Sequence, residues 1–373
     1  MTVHGKTLTR FIGIVCLAVV AGCGQNNSTS GEPDNVVNFY NWADYIAPDT
    51  LEKFEAETGI KVNLDTYPAG TVVDVKLLTG NSGYDVIVHS NQYSSRLAPI
   101  GIFEKLDMSL LPNAKNLDPS TMQRIDVFEK VSGYMVPYFW GNTGYSWNVE
   151  MVRERLPDHP MDSGDVLFDP EVISKLADCG VSLLDDPTDL FPMMLAYLGR
   201  DPNAVDDESL ALAEAQFKKI RPYVRYFSND KMLSAMPNKE VCVAMSWSGD
   251  YAVAASRIRD AGLDIELRYT VPKEGSGLWA DGVYIPVDAP HRENAYKFVN
   301  FLMRADIAAD IANAVAYANA NAASWEFTNP EILNDPGIYP TDETWESMYR
   351  VQPVDPKRER PRTRAFARVK SGL

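Results

Sequence analysis

Apolar and polar positions change rhythm repeatedly between residues 36 and 93. Val36 to Trp42 alternates with a period of two and predicts a strand. Pro48 to Thr58 spaces its apolar residues as a helix face, opens with Pro and Asp, and stops at Gly59. Ile60 to Tyr67 returns to a strand, a helix is expected around Thr71 to Leu78, Tyr84 to His89 is strand again, and a helix begins near Tyr93. This β-α-β-α-β order predicts a mainly parallel sheet covered by helices. Tyr134 to Trp147 is long, aromatic and β-like, and reads as a crossing into a second lobe. There the alternation repeats, with a strand near Val181 to Leu184, helices near Pro187 to Leu198 and Glu208 to Ile220, a strand at Val241 to Trp247 and a helix after Gly249. Tyr269 to Val287 reads as a crossing back, and His291 to Ala314 as a helix with an apolar stripe. The basic segment Lys357 to Lys370 is expected to finish the second lobe as a solvated helix face.

The expected architecture is α/β, with two lobes around a cleft whose walls can close by hinge motion. Lobe 1 is assigned residues 36–138 and 281–314, and lobe 2 residues 139–280 and 315–373.

The first residues follow a different rule. Lys6 and Arg10 precede an unbroken apolar run from Phe11 to Val20, the pattern of an export signal and too short to span a bilayer. Val20-Ala21-Gly22-Cys23 resembles the lipobox of bacterial lipoproteins, in which the Cys is acylated after removal of residues 1–22. The alternative is a plain signal cleaved after Gly22. Residues 23–35, rich in Gly, Asn and Ser, then form a flexible tether.

The chain carries 35 basic and 51 acidic residues, and the leader takes two of the cations away. So acidic a surface excludes nucleic acid as a natural partner and suits a cationic ligand, although solubility alone would also account for it. Cys16 lies in the leader, Cys23 would carry lipid, and Cys179 and Cys242 remain. An even pair in an exported chain suggests a disulfide, with two free buried thiols as the alternative. The pair lacks the His or Cys neighbours of a metal site.

Several segments set an aromatic beside a carboxylate where strands end or helices begin: Trp42-Ala43-Asp44-Tyr45, Asp185-Asp186-Pro187-Thr188-Asp189, Trp247-Ser248-Gly249-Asp250 and Trp279-Ala280-Asp281. Strand ends are where open α/β sheets bind ligands. Each segment alone could be core beside a helix cap, and Asp250 could be only an N-cap. Together they fit a linear di- or triamine. Carboxylates at fixed separations would hold its ammonium groups, and flat rings would cover its methylenes and attract the cations.

Asn41-Trp42-Ala43-Asp44-Tyr45-Ile46-Ala47-Pro48, Glu57-Thr58-Gly59-Ile60-Lys61-Val62, Trp247-Ser248-Gly249-Asp250, Val271-Pro272-Lys273-Glu274-Gly275 and Tyr317-Ala318-Asn319-Ala320-Asn321 resemble the bacterial periplasmic putrescine/spermidine-binding proteins of polyamine ABC importers. The resemblance spans essentially the whole mature chain. It is closer to the putrescine-binding branch, which shares the Cys pair and the ending Val369-Lys370-Ser371-Gly372. It implies the type II periplasmic binding protein fold and capture of a polyamine for an inner-membrane ABC permease. It also implies no cofactor and no metal. The chain would work as a periplasmic monomer whose membrane contact is the lipid on Cys23.

By the same resemblance the ligand contacts are Trp42, Asp44, Tyr45, Ser90, Asp189, Trp247, Asp250, Trp279, Asp281 and Tyr317. Asp281 and Asp250 would bind amines, Asp189 the distal amine, and Asp44 would close the other end. Trp42, Trp247 and Trp279 would flank the methylenes, while Ser90 and Tyr317 would orient an ammonium. Ala43 stands where Ser is usual, Asp189 where Glu is usual and Trp279 where Phe is usual in putrescine binders. Asp186, beside Asp189, resembles the spermidine-preferring members and belongs to the expected ligand set. These changes point to spermidine beside putrescine, or to drift without effect.

Two other classes share part of this pattern. A glycosidase pair could be drawn from Asp185, Asp186, Asp250 and Asp281. No nucleophile motif accompanies them, and His89, His159 and His291 are far apart in sequence. A polyamine sensor signalling to a membrane partner would share the same pocket, and another small cationic amine would suit similar chemistry.

Overall fold

The computed structural model describes residues 35–67, 70–125, 131–352 and 356–372. The expected signal, Cys23 and residues 24–34 of the tether lie outside the described residues. Among these residues ten strands form one curled sheet: β1 Val36–Trp42, β2 Lys61–Tyr67, β3 Val86–Ser90, β4 Met135–Asn148, β5 Val181–Leu183, β6 Val224–Phe227, β7 Val243–Trp247, β8 Leu267–Thr270, β9 Ser276–Tyr284 and β10 Met348–Arg350. Their order is β2-β1-β3-β9-β4-β7-β5-β6, with β10 on β9 and β8 on β4. Its helices include α1 Thr50–Thr58, α2 Gly70–Thr79, α3 Asn91–Leu97, α4 Pro187–Tyr197, α5 Asp207–Ile220, α6 Ser248–Asp260, α7 Arg292–Leu302, α8 Ala305–Val315 and α9 Pro356–Ser371.

The sheet is mixed, where a mainly parallel one was expected. β1 pairs in parallel with β2 and β3, and β5 with β6 and β7. The crossing strands β4 and β9 run antiparallel to each other, and β9 to β3, as does β4 to β7. The expected crossing from Tyr269 to Val287 is two strands, β8 and β9, separated by Val271–Gly275. The helix expected from His291 to Ala314 is α7 and α8, broken at Met303 and Arg304. Gly59 does end α1, in the left-handed region at φ +69°, with its N–H donating to Glu55 O.

Two main hydrophobic cores sit on either side of the crossing strands, as a two-lobed type II fold requires. One packs Val37, Phe39, Val86 and Val88 of the first strands against Phe54, Phe298 and Ile311. The other packs Tyr145, Val181 and Val243 against Leu190, Phe191 and Phe217. The last helix joins it through Ala365, Phe366 and Val369. Each fully buried Phe of this kind contributes about 1.5–3 kcal/mol. Cys179 and Cys242 form a disulfide with their Cα atoms 5.5 Å apart. It ties the starts of β5 and β7, which are in register at Val181 and Val243.

Candidate functional site

Strand register brings the candidate residues together. Ser90, the last residue of β3, pairs with Asp281 of β9. Two residues earlier on β9, Trp279 pairs with Gly141 of β4. Thr143 of β4 pairs in turn with Trp247, the last residue of β7. Residues two apart share a face of a sheet. Trp279 and Asp281 therefore project to one side, and Gly141 and Thr143 likewise. Gly141 is required by the close approach of an indole: a Cβ there would stand 2.6 Å from the Trp279 ring.

Tyr317 lies just past α8 and links Tyr45, Trp279 and Asp250. Its ring meets Tyr45 at 5.5 Å and Trp279 at 5.2 Å, both edge-on. Its hydroxyl donates to Asp250 Oδ1 at 3.0 Å. Tyr45 sits in the turn after β1, where Asn41 Nδ2 and the Tyr138 hydroxyl both donate to its carbonyl. The same turn holds Asp44 at φ +55°, a conformation Asp tolerates better than most residues. Asp44 is exposed and stands outside the buried group. Trp42 packs on Tyr67 at 4.4 Å.

Asp189, in the first turn of α4, accepts from Thr143 Oγ1 at 2.7 Å and from Trp247 Nε1 at 3.3 Å. Asp186 caps the same helix, with Oδ1 accepting from the Thr188 amide and hydroxyl. Burial pushes the carboxyls of Asp250 and Asp281 up to about 7. The Tyr317 hydroxyl partly offsets this at Asp250, and the Tyr45 and Ser90 hydroxyls do so at Asp281. Although it approaches Asp281, the Tyr45 hydroxyl completes no hydrogen bond among the described residues. Asp189 is likewise raised by burial and then by the neighbouring Asp186. Among the described residues, none of Asp189, Asp250 and Asp281 forms an ion pair with Lys, Arg or His. The Trp42 and Trp279 indole N–H groups, both buried, also lack partners there. Buried polar groups are rarely left so.

Sequence reasoning missed several residues. Tyr93 of α3 stacks on His89 at 5.3 Å and lies by Thr188, Asp186 and Asp189. Tyr269 feels both Asp250 and Asp189, and donates to Asn142 Oδ1 at 2.9 Å. Thr143 holds Asp189. None of these has a local signature; register and tertiary packing alone bring them to the carboxylates. No group of His, Cys, Asp and Glu among the described residues is arranged to hold a metal ion.

The description "bacterial extracellular solute-binding protein" matches residues 49–340. The chain is 43% identical to the putrescine-binding periplasmic protein SpuD of Pseudomonas aeruginosa, over 99% of this chain and 98% of the relative. It is 37% identical to the putrescine-binding periplasmic protein PotF of Escherichia coli, over 98% of each. Among solved structures, the spermidine/putrescine ABC transporter substrate-binding protein PotD of Streptococcus pneumoniae superposes with a TM-score of 0.74 at 26% identity. That superposition covers 90% of this chain and 99% of the other.

Proposed function

This chain belongs to the bacterial extracellular solute-binding proteins, and on that premise we propose that it captures a polyamine, putrescine or spermidine, and delivers it to an inner-membrane ABC permease. The observation that carries the reading is a set of three carboxylates, Asp189 and Asp281 buried and Asp250 half-buried, without an ion-pair partner among the described residues. Burying an ionised carboxylate alone costs several kcal/mol. These acids therefore rest partly protonated and wait for a cation. An alkyl diammonium supplies one positive charge at each end, and its methylenes fit between indole and phenol faces.

In this reading Asp281, with Ser90 and Tyr45, holds one ammonium, and Asp250 with Tyr317 stands beside it. Asp189, carried by Thr143 and Trp247, holds the distal ammonium, with Asp186 behind it. Trp42, Trp247 and Trp279 cover the methylenes, and Asp44 sits at the rim. The walls are the two lobes, 36–138 with 281–314 and 139–280 with 315–373. The ligand leaves unchanged, with no covalent chemistry. The protein works as a periplasmic monomer tethered by lipid on Cys23.

Isothermal titration with putrescine, cadaverine, spermidine and spermine tests this. Heat of binding is expected with at least one of them, and none with any would overturn the reading. Recovery of the ligand unaltered after long incubation, checked by mass spectrometry, tests the non-catalytic part.

A further inference from the structure

The crossing strands have a second face. Side chains alternate along β4, so Trp140 points away from the side on which Gly141 meets the Trp279 ring. Its backbone N–H donates to Ala318 O at 2.8 Å, and it pairs with Ala280 of β9. There Arg124, Trp140, Trp325, Tyr339, Pro340 and Trp345 line a cavity of about 120 Å³. Trp140 is 4% exposed, and its ring stands edge-on to Trp345 at 5.1 Å and to Tyr339 at 5.8 Å.

The polar groups of this wall are mostly donors. The Nε1–H groups of Trp140 and Trp325 are buried and lack a partner among the described residues. That of Trp325 approaches the Tyr339 hydroxyl but completes no bond with it. The hydroxyl accepts from the Asn319 amide at 3.3 Å, which leaves its own proton to donate. Arg124, from the helix Pro119–Ile125, lies over the Trp345 ring at 5.5 Å. Its Nη2 meets Asp342 Oδ1 at 3.0 Å, in a pair whose side chains are 46% and 86% exposed. Such a surface pair holds weakly, and it uses one nitrogen of a guanidinium built to donate from several. The Thr121 hydroxyl, also in the wall, is committed to Asp118.

We propose that this cavity is a second binding site, for a small organic acid with one carboxylate on a short apolar body. Carboxylate oxygens accept from indole N–H groups and from Arg124, and the apolar part lies against the rings. An alkylammonium meets the opposite: a like charge at Arg124, and N–H groups that have nothing to accept its protons with. The amine of the cleft is therefore not the ligand here. A void of about 150 Å³ admits a molecule the size of benzene, so one of about 120 Å³ suits roughly six heavy atoms. Butyrate has that size.

The test is titration of the isotope-labelled protein, free of amine, with sodium butyrate and with butylammonium chloride at constant ionic strength. The indole N–H resonances are followed by NMR. Butyrate is expected to shift those of Trp140 and Trp325 saturably and to leave Trp42, Trp147, Trp247 and Trp279 unmoved. Trp325→Phe assigns one of the two by removing it. Arg124→Gln, at a surface position that tolerates the change, should weaken butyrate at least tenfold, and Arg124→Lys should stay within threefold of wild type. Asp342→Asn, which releases the guanidinium, should tighten it. No saturable shift, the result for a cavity that holds only water, overturns the inference. So do equal shifts of these two indoles with butylammonium, or unchanged affinity in Arg124→Gln. The polyamine reading is decided separately, by the amine titrations above.

Discussion

The ring of Tyr317 lies so close over Gly249 that a Cβ there would stand 2.3 Å from it. The hydroxyl of the same residue donates to Asp250 Oδ1 at 3.0 Å. One glycine thus decides where a cleft aromatic and a cleft carboxylate can meet. Gly249→Ala should move the whole ring, since three of its atoms lie within 2.4 Å of the added carbon. The expected cost is about 1–3 kcal/mol of stability and more than tenfold in polyamine affinity. Thermal melting and calorimetric titration read the two effects, and a variant with native affinity would show that Tyr317 does not shape the site.

Asp281→Asn should weaken binding more than tenfold, because it removes a charge where an ammonium is proposed to be buried. Ligand-free stability should hold or rise, since the carboxylate is costly to bury there. Unchanged affinity would take Asp281 out of the site.

Binding should depend on pH in a definite direction. Asp250 and Asp281 are pushed up to about 7, so below that pH the free protein holds them protonated. An arriving ammonium favours the charged forms, and binding then releases protons. Affinity is expected to fall by more than tenfold between pH 8 and pH 5.5. For the ligand-free fold the sign is opposite. Both acids are raised above their unfolded value of 3.8, so their contribution is fully present below it and is lost as pH rises through about 7. The rise in melting temperature on adding ligand should therefore be larger at pH 8 than at pH 5.5. Titrations in buffers of different ionisation enthalpy count the protons, and a flat profile would contradict the uncompensated carboxylates.

Replacing Cys179 and Cys242 together by Ala should cost up to about 4 kcal/mol, the loop-closure value for a bridge of this span. Polyamine affinity should stay within threefold. The bridge ties the start of β7, whereas Trp247 stands at its other end. Chemical denaturation with and without ligand separates the two.

Much of this fold can be read from local patterns. The long crossing strand, the capped helices and the paired cysteines each carry a signature within a few residues. Strand direction has none: alternation in Ser276 to Tyr284 looks the same whichever way the strand runs, and so the sheet was expected to be mainly parallel. A short strand such as Met348 to Arg350 has too few residues to show a period. The aromatic–carboxylate segments announce themselves because both partners are neighbours in sequence. Thr143, Tyr93 and Tyr269 meet those segments only through register and packing, which a single chain does not display. Asp44 shows the reverse case, a residue inside a strong motif that the turn leaves exposed.

β4 is hydrogen-bonded to β9 along its first part and to β7 and β8 along its last. A strand shared in this way forbids sliding, because slippage of even one residue would break the ladder and reverse every side chain. The pairing shifts register once, between Pro137 and Trp140, and beyond that point Gly141 faces Trp279 while Thr143 faces Trp247. The spacing between those two indoles is therefore set by two residues of backbone, a fixed gauge against which the length of any molecule lying along them is compared.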